Sequence, residues 1–254
     1  VEFDWSILAI AIPFVFAAGF VDSIAGGGGV ISVTGFLLSG LPVHNIFGVN
    51  KIQSSIGTSV STYNYVKSGH VDWKFIPFSL TFAIIGAFAG ATLVTQLDEA
   101  FLRRVLLVII PLIALIMMFN KKITSLVKPH SLTTKQIYVI SAIIGLTIGF
   151  YDAFVGPGTG TFLIIAFSMC GVKMLDAGGN AKIINLTSNI ISAIIFFLHG
   201  HIIWWLAIPC IITNIIANQL GSRLAIKNGE KIIRPTLLVV MALLIIKFIF
   251  DIIG

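Results

Sequence analysis

Long apolar runs separated by short polar connections cover the whole chain, and the run lengths predict what each can do. Residues 5–25 are apolar and close to the ~20 residues that a helix needs to cross a bilayer. Trp5 stands where an interfacial aromatic belongs, and Pro13 is tolerable because a neighbouring helix can satisfy the freed backbone groups. The run stops at four glycines, Gly26, Gly27, Gly28 and Gly29. Residues 30–41, closed by Pro42, are too short to cross and suit a half-helix or re-entrant segment. Residues 46–66 have a helix's length but are polar. Asn50, Ser54, Thr58 and Ser61 fall at i, i+4, i+8 and i+11, one stripe of a helix, with Lys51 and Gln53 beside it. Such a stripe must face protein or water. Residues 75–95 form a further apolar run in which Gly86 and Gly90 permit close helix approach. Residues 106–119 follow, and then the longest polar connection, 120–135, with Lys121, Lys122, Lys128, Pro129, His130 and Lys135.

The second half repeats the order. Residues 136–155 are apolar, 156–160 break the run, 161–171 are a short segment, 181–198 are polar-striped with Asn185, and 203–226 and 232–253 are apolar again. The repetition extends to individual residues. GFVDSIAGGGG begins at Gly19 and GFYDAFVGPGTG at Gly149, so Gly19, Phe20, Asp22, Gly26 and Gly28 recur as Gly149, Phe150, Asp152, Gly156 and Gly158. One extra residue near Asn180 then matches Lys51 with Lys182, Gly69, His70 and Trp73 with Gly200, His201 and Trp204, and Arg103 with Arg234. The expected architecture is an all-α, polytopic transmembrane bundle of two homologous repeats, each with a glycine-broken or re-entrant element, with about eight main membrane segments. Its expected divisions are 1–120, a connection over 121–135, and 136–254.

Composition agrees with that class and removes others. The chain is 57% hydrophobic and 10% charged, with mean hydropathy +1.04, whereas soluble domains carry about 25% charged residues. The net charge of +6 comes from cations in or beside connections, which reads as topology and anionic-lipid contact rather than nucleic-acid binding. Cys170 and Cys210 lie far apart in apolar surroundings and read as packing residues. No charged n-region or cleavage site precedes residue 5, so the first run reads as a span and not a signal peptide. No cofactor or metal site is expected.

The chemistry-bearing residues are the repeated ones. Amides at the start of a helix that follows a glycine turn present partial positive charge and form an anion site without side chains. Those amides belong to Gly26, Gly27, Gly28 and Gly29, and to Gly156, Gly158, Thr159 and Gly160. Neither break continues into GK[ST], so a nucleotide loop is a poorer explanation. Asn50 with Lys51, and Asn180 with Lys182, open the two polar helices; a lysine at membrane depth calls for an anionic partner or ligand, unless it snorkels from a helix end. Asp22 and Asp152 admit three roles: structural partners of the lysines, protonatable coupling groups, or a catalytic pair. His70 and His201, each in GHxxW, read as interfacial turn residues. Asn214 and Asn218 have no polar counterpart in the first half, where Ala83 and Ala87 stand, and are either interhelical glue or an asymmetric part of the pathway.

GFVDSIAGGGG followed by GVNKIQSS, with the second copy GFYDAFVGPGTG and GGNAKIIN, resembles the TauE/SafE sulfite exporter family over essentially the whole chain. The resemblance implies a multi-pass permease of a bacterial-type inner membrane that moves sulfite, sulfonate or related sulfur-containing anions, and no enzymatic activity. By position it implies Asp22, Gly26 to Gly29, Asn50, Lys51, Asp152, Gly156, Gly158, Gly160, Asn180 and Lys182 as family-like residues. The expected substrate-binding set adds Gln53, Ser54, Thr159 and Asn185. The mechanism expected is alternating access around a central site, with inverted halves, a coupling proton or sodium ion, and lipid as the surrounding partner. An intramembrane aspartyl hydrolase using Asp22 and Asp152 is the rival from another class, although its GxGD signature is missing; a channel or a cation transporter is a further alternative.

Overall fold

The structure is a computed structural model that describes residues 2–108, 132–229, 231–233 and 235–236. Among these, every regular element is a helix: α1 (Trp5–Ala25), α2 (Gly28–Leu38), α3 (Val43–Lys67), α4 (Ile76–Gln96), α5 (Thr134–Phe154), α6 (Thr159–Met169), α7 (Met174–Leu198) and α8 (Trp204–Asn228), with further helix over 99–108. The expected segments 106–119 and 232–253 and the connection 121–135 lie largely outside the described residues.

Among the described residues four helices, α1, α4, α5 and α7, are long and apolar enough to cross a membrane. At 25 residues each, α3 and α8 reach about 37 Å at ~1.5 Å per residue. Their polar faces take them out of the apolar class, because α3 buries Asn50, Lys51, Gln53, Thr58 and Ser61 and α8 buries Asn214, Asn218 and Ser222. The 11-residue α2 and α6 span only about 16 Å by the same rise.

Helix ends follow local chemistry. Asp4 caps α1, its Oδ1 accepting from the Ser6 N–H at 2.7 Å and hydroxyl at 2.8 Å; these bonds hold its carboxyl below the ordinary range. Thr133 and Gln136 form a capping box on α5. The polar helices begin earlier than the sequence predicts, at Val43 after Pro42 and at Met174 after Lys173. Gly178 and Gly179, which precede the predicted start at Ala181, are helical. A Cβ on Gly179 would collide with the His70 carbonyl oxygen, and one on Gly48 with that of His201, so glycine serves close backbone approach at both positions.

Packing places the short helices inside. α1 lies against α2 and α8, α4 against α5 and α7, and α3 against α7 and α8, while α6 packs on α7. Small residues make the α4–α5 contact tight: a Cβ on Gly86 would sit 2.7 Å from the Phe150 amide nitrogen, and one on Gly149 2.9 Å from Ala83 Cα. Apolar clusters around Phe36, Phe47 and Phe196, and around Phe75 and Phe167, flank the polar centre between them.

Candidate functional site

The two glycine breaks meet. Gly26 ends α1 at φ +74° and Gly27 opens α2 in the left-handed region at φ +86°. Gly156 (φ +86°) and Gly158 (φ +83°) make the corresponding turn between α5 and α6. A Cβ on Gly160 would stand 2.6 Å from Gly26 Cα, and one on Gly29 3.4 Å from the Gly156 carbonyl oxygen, so backbone touches backbone. Neither α2 nor α6 has a side-chain N-cap. In each first turn one N–H is taken by backbone, Val30 on the Gly27 carbonyl at 3.2 Å and Thr159 on the Gly156 carbonyl at 3.3 Å, and no N-cap side chain accepts from the others.

A cavity opens at this junction, lined by both helix starts together with Asp22, Ser32, Asn50, Lys51, Gln53, Ser54, Thr58, Asp152, Asn185, Asn189, Asn214 and Asn218. Its enclosed space is about 30 Å³, where one water needs ~10–15 Å³ on the same scale. It accommodates a compact polar group.

The charges are paired across the two halves of the chain. Lys51 donates to the Asp152 carbonyl oxygen at 2.5 Å and stands 3.1 Å from Asp152 Oδ1. Lys182 donates to the Asp22 carbonyl oxygen at 2.5 Å and to Asp22 Oδ2 at 2.6 Å. Each ammonium thus covers both a carboxylate and a carbonyl near the C-terminal end of a broken helix, where the helix dipole is negative. Asp152 also accepts from Asn185 Nδ2 at 3.3 Å and from the Ser188 hydroxyl. The Asp22 carboxylate receives only Lys182 among the described residues, and its side chain is 19% exposed against 3% for Asp152.

An amide network forms one wall. Ser32 Oγ donates to Asn50 Oδ1 at 2.7 Å and Gln53 Nε2 to the same oxygen at 3.1 Å; Asn214 donates to Gln53, and Asn218 Nδ2 to Asn214 Oδ1 at 2.5 Å. Asn218 Oδ1 ends the chain buried and without a partner among the described residues. Asn189, a residue 3% exposed, also lines the cavity.

Of the residues expected from sequence, Gly27, Gly28, Gly29, Asn50, Lys51, Gln53, Ser54, Gly156, Gly158, Thr159, Gly160, Asn185, Asp22 and Asp152 line this one cavity. Gly26 packs behind it on Gly160 and Thr161, and Lys182 reaches it only through Asp22. Asn180 stands elsewhere. Its Oδ1 accepts from the Asp72 N–H at 2.9 Å and its Nδ2 donates to the Asp72 carbonyl at 3.2 Å. The reason is register. α2 and α6 start 131 residues apart, as do α3 and α7, so the extra residue lies in the break, at Pro157, and not near Asn180. Asn50 then corresponds to Ala181, Ser54 to Asn185 and Thr58 to Asn189; Asn180 is one residue, about 100°, off the stripe. Sequence reading does not single out Ser32, Ser188 or Asn189 as site residues. The last two follow Asn185 at i+3 and i+4, so the stripe spacing carries their signal.

A family model described as "Sulfite exporter TauE/SafE" matches residues 11–248. The chain belongs to the sulfite exporter TauE/SafE family. It is 34% identical over 252 residues to "Probable membrane transporter protein ORF9" of Sinorhizobium sp, covering 98% of this chain and 95% of that relative. It is 29% identical over 246 residues to "Probable membrane transporter protein YfcA" of Escherichia coli K12, covering 96% and 90%. A Haemophilus influenzae relative named "Probable membrane transporter protein" is 29% identical over 96% of this chain and 95% of its own length. No solved structure matches. With the family and its apolar helices, this TauE/SafE chain is a multi-pass membrane protein of a transporter family.

Proposed function

We propose that the protein is a secondary transporter of sulfite, sulfonate or a related sulfur-containing anion, working by alternating access around the cavity where the glycine breaks meet. The observation that carries this reading is the pair of uncapped helix starts, α2 and α6, facing one polar cavity. Each helix N-terminus is equivalent to roughly half a positive charge, so two supply about +1. Lys51, Lys182, Asp22 and Asp152 sum to zero once paired. The attraction for an anion therefore comes from backbone amides and neutral donors, which match an oxyanion with several acceptor oxygens.

We further propose that the halves are inverted repeats. The corresponding lengths, 21 and 21 residues for α1 and α5, 11 and 11 for α2 and α6, 25 and 25 for α3 and α7, support this. So does the exchange of partners, α1 with α8 and α5 with α4. In such folds broken helices meet at a midplane site and one half rocks against the other. The hydrolase reading loses support because each aspartate is held by its own lysine instead of sharing a proton with the other.

The test is flux of sulfite and small sulfonates in proteoliposomes, with Asn50→Ala and Asn189→Ala. Each substitution removes one candidate donor and is expected to weaken apparent affinity about tenfold, the equivalent of one hydrogen bond to a charged group. Absence of flux and binding for every sulfur oxyanion tried would refute the reading.

A further inference from the structure

Asp22 and Asp152 occupy matching places but stand in different surroundings. Asp152 is saturated: Lys51 holds Oδ1, while Asn185 and Ser188 hold Oδ2. Asp22 uses Oδ2 and its carbonyl for Lys182, and its Oδ1 has no partner among the described residues. That oxygen faces the α6 start, where a Cβ on Gly160 would lie 3.6 Å from it. A free carboxylate oxygen therefore shares the cavity with the helix starts that attract an anion. An anion entering beside it meets like charge at close range in a poorly screened site.

We propose that Asp22 is the proton-binding site of this transporter, taking up one proton with each anion, and that Asp152 stays ionised as a structural partner of Lys51. This rests on the anion-site reading above. Protonating Asp22 removes the opposing charge, takes the four paired groups from neutral to +1, and leaves Lys182 bonded to the Asp22 carbonyl. The proton goes to a carboxylate oxygen, and no covalent bond changes. The titratable groups around Asp22 are few. α7 brings Lys182, and α3 brings Tyr65, whose hydroxyl donates to the Ser23 carbonyl at 3.2 Å. α2 and α6 bring Gly28 and Gly160, α8 brings Asn218 to the shared cavity wall, and the Lys51–Asp152 pair lies on the same cavity.

Methanesulfonate is the probe, because its charge is constant over the working pH range. Its binding to the purified full-length protein is measured by calorimetry from pH 5.5 to 8.5 in buffers of different ionisation heat, which count protons. The expected result is uptake approaching one proton per anion, with affinity rising by up to tenfold per unit fall in pH while free Asp22 is ionised. Asp22→Asn is expected to bind methanesulfonate without proton uptake or pH dependence, and to exchange anions in proteoliposomes without responding to a pH gradient. Binding by the wild type without proton uptake, or enhancement by sodium at fixed pH in its place, overturns the assignment and leaves the anion site standing. Retained proton uptake in Asp22→Asn overturns it as well. If that variant does not fold, Asp22→Ser, which is smaller and equally unable to bind the proton, is measured in the same way, and retained proton uptake in it overturns the assignment. No methanesulfonate or sulfite binding at any pH, in either protein, removes the anion site and this inference together.

Discussion

Lys51 of α3 spans the two halves of the chain to reach Asp152 of α5, meeting its carbonyl oxygen at 2.5 Å and its Oδ1 at 3.1 Å, with the two side chains 1% and 3% exposed. An isolated charge at that burial is untenable, so each member depends on the other. Lys51→Ala leaves the Asp152 carboxylate buried with only Asn185 and Ser188, and is expected to cost about 3–5 kcal/mol of stability. Adding Asp152→Asn to it removes the stranded charge and is expected to recover part of the loss. Thermal unfolding of the purified single and double variants checks this; a double variant no more stable than Lys51→Ala would contradict the pairing.

The four consecutive glycines are not equivalent. Gly26 has φ +74° and no room, because its Cβ would collide with the Gly160 and Thr161 backbone; Gly26→Ala is therefore expected to abolish both folded yield and transport. Gly29 lacks a positive φ, and its Cβ would meet the Gly156 carbonyl oxygen at 3.4 Å, an ordinary contact. Gly29→Ala is expected to fold within about 0.5–1 kcal/mol of wild type, while its methyl narrows the cavity and weakens anion binding. Expression yield read beside binding affinity separates the two.

Much of this was legible because membrane helices announce themselves by length and polarity. Residues 5–25 define α1 at both ends, and the stripe from Asn50 to Ser61 marks the helix that lines the cavity. Repetition of the glycine breaks pointed to their importance. Their contact through Gly26 and Gly160 needed coordinates, since nothing local in either break names its partner. The same holds for the exchanged ion pairs, because burial demands a counter-charge for each lysine but does not say which aspartate. Asn180 precedes Lys182 much as Asn50 precedes Lys51, yet α2 and α6, like α3 and α7, start 131 residues apart, which pairs Asn50 with Ala181 and leaves Asn180 on Asp72. On a helix, one position of register decides whether an amide faces the cavity or the loop.

The separate places of Asn180 and Asn185 are testable. Asn180 holds the Asp72 backbone by two hydrogen bonds, so Asn180→Ala is expected to lower stability by about 1–3 kcal/mol and leave anion affinity unchanged. Asn185 lines the cavity and bonds Asp152 Oδ2 at 3.3 Å, so Asn185→Ala is expected to weaken anion affinity. Unfolding and binding measured on both variants should sort them oppositely, and an affinity loss confined to Asn180→Ala would overturn the placement.

His201 gives a pH dependence away from the cavity. It lies in the connection between α7 and α8, its ring stacked on His44 at 4.9 Å and 6.3 Å from that of His199, while Asn45 Nδ2 donates to its carbonyl at 3.1 Å. Burial, then His44, then His199 push its pKa below the ordinary 6.5. The lowered value means that the fold disfavours the imidazolium. Above pH 6.5 the ring is neutral in both folded and unfolded chains, and its full contribution to stability is present. As pH falls below 6.5 the unfolded chain takes up the proton first, so stability is lost progressively down through the folded-state pKa. The unfolding midpoint of the anion-free protein is therefore expected to fall between pH 7.5 and 5.5, and His201→Gln, which cannot take the charge, to flatten that slope. A slope unchanged in His201→Gln would show that another group governs acid sensitivity in this window.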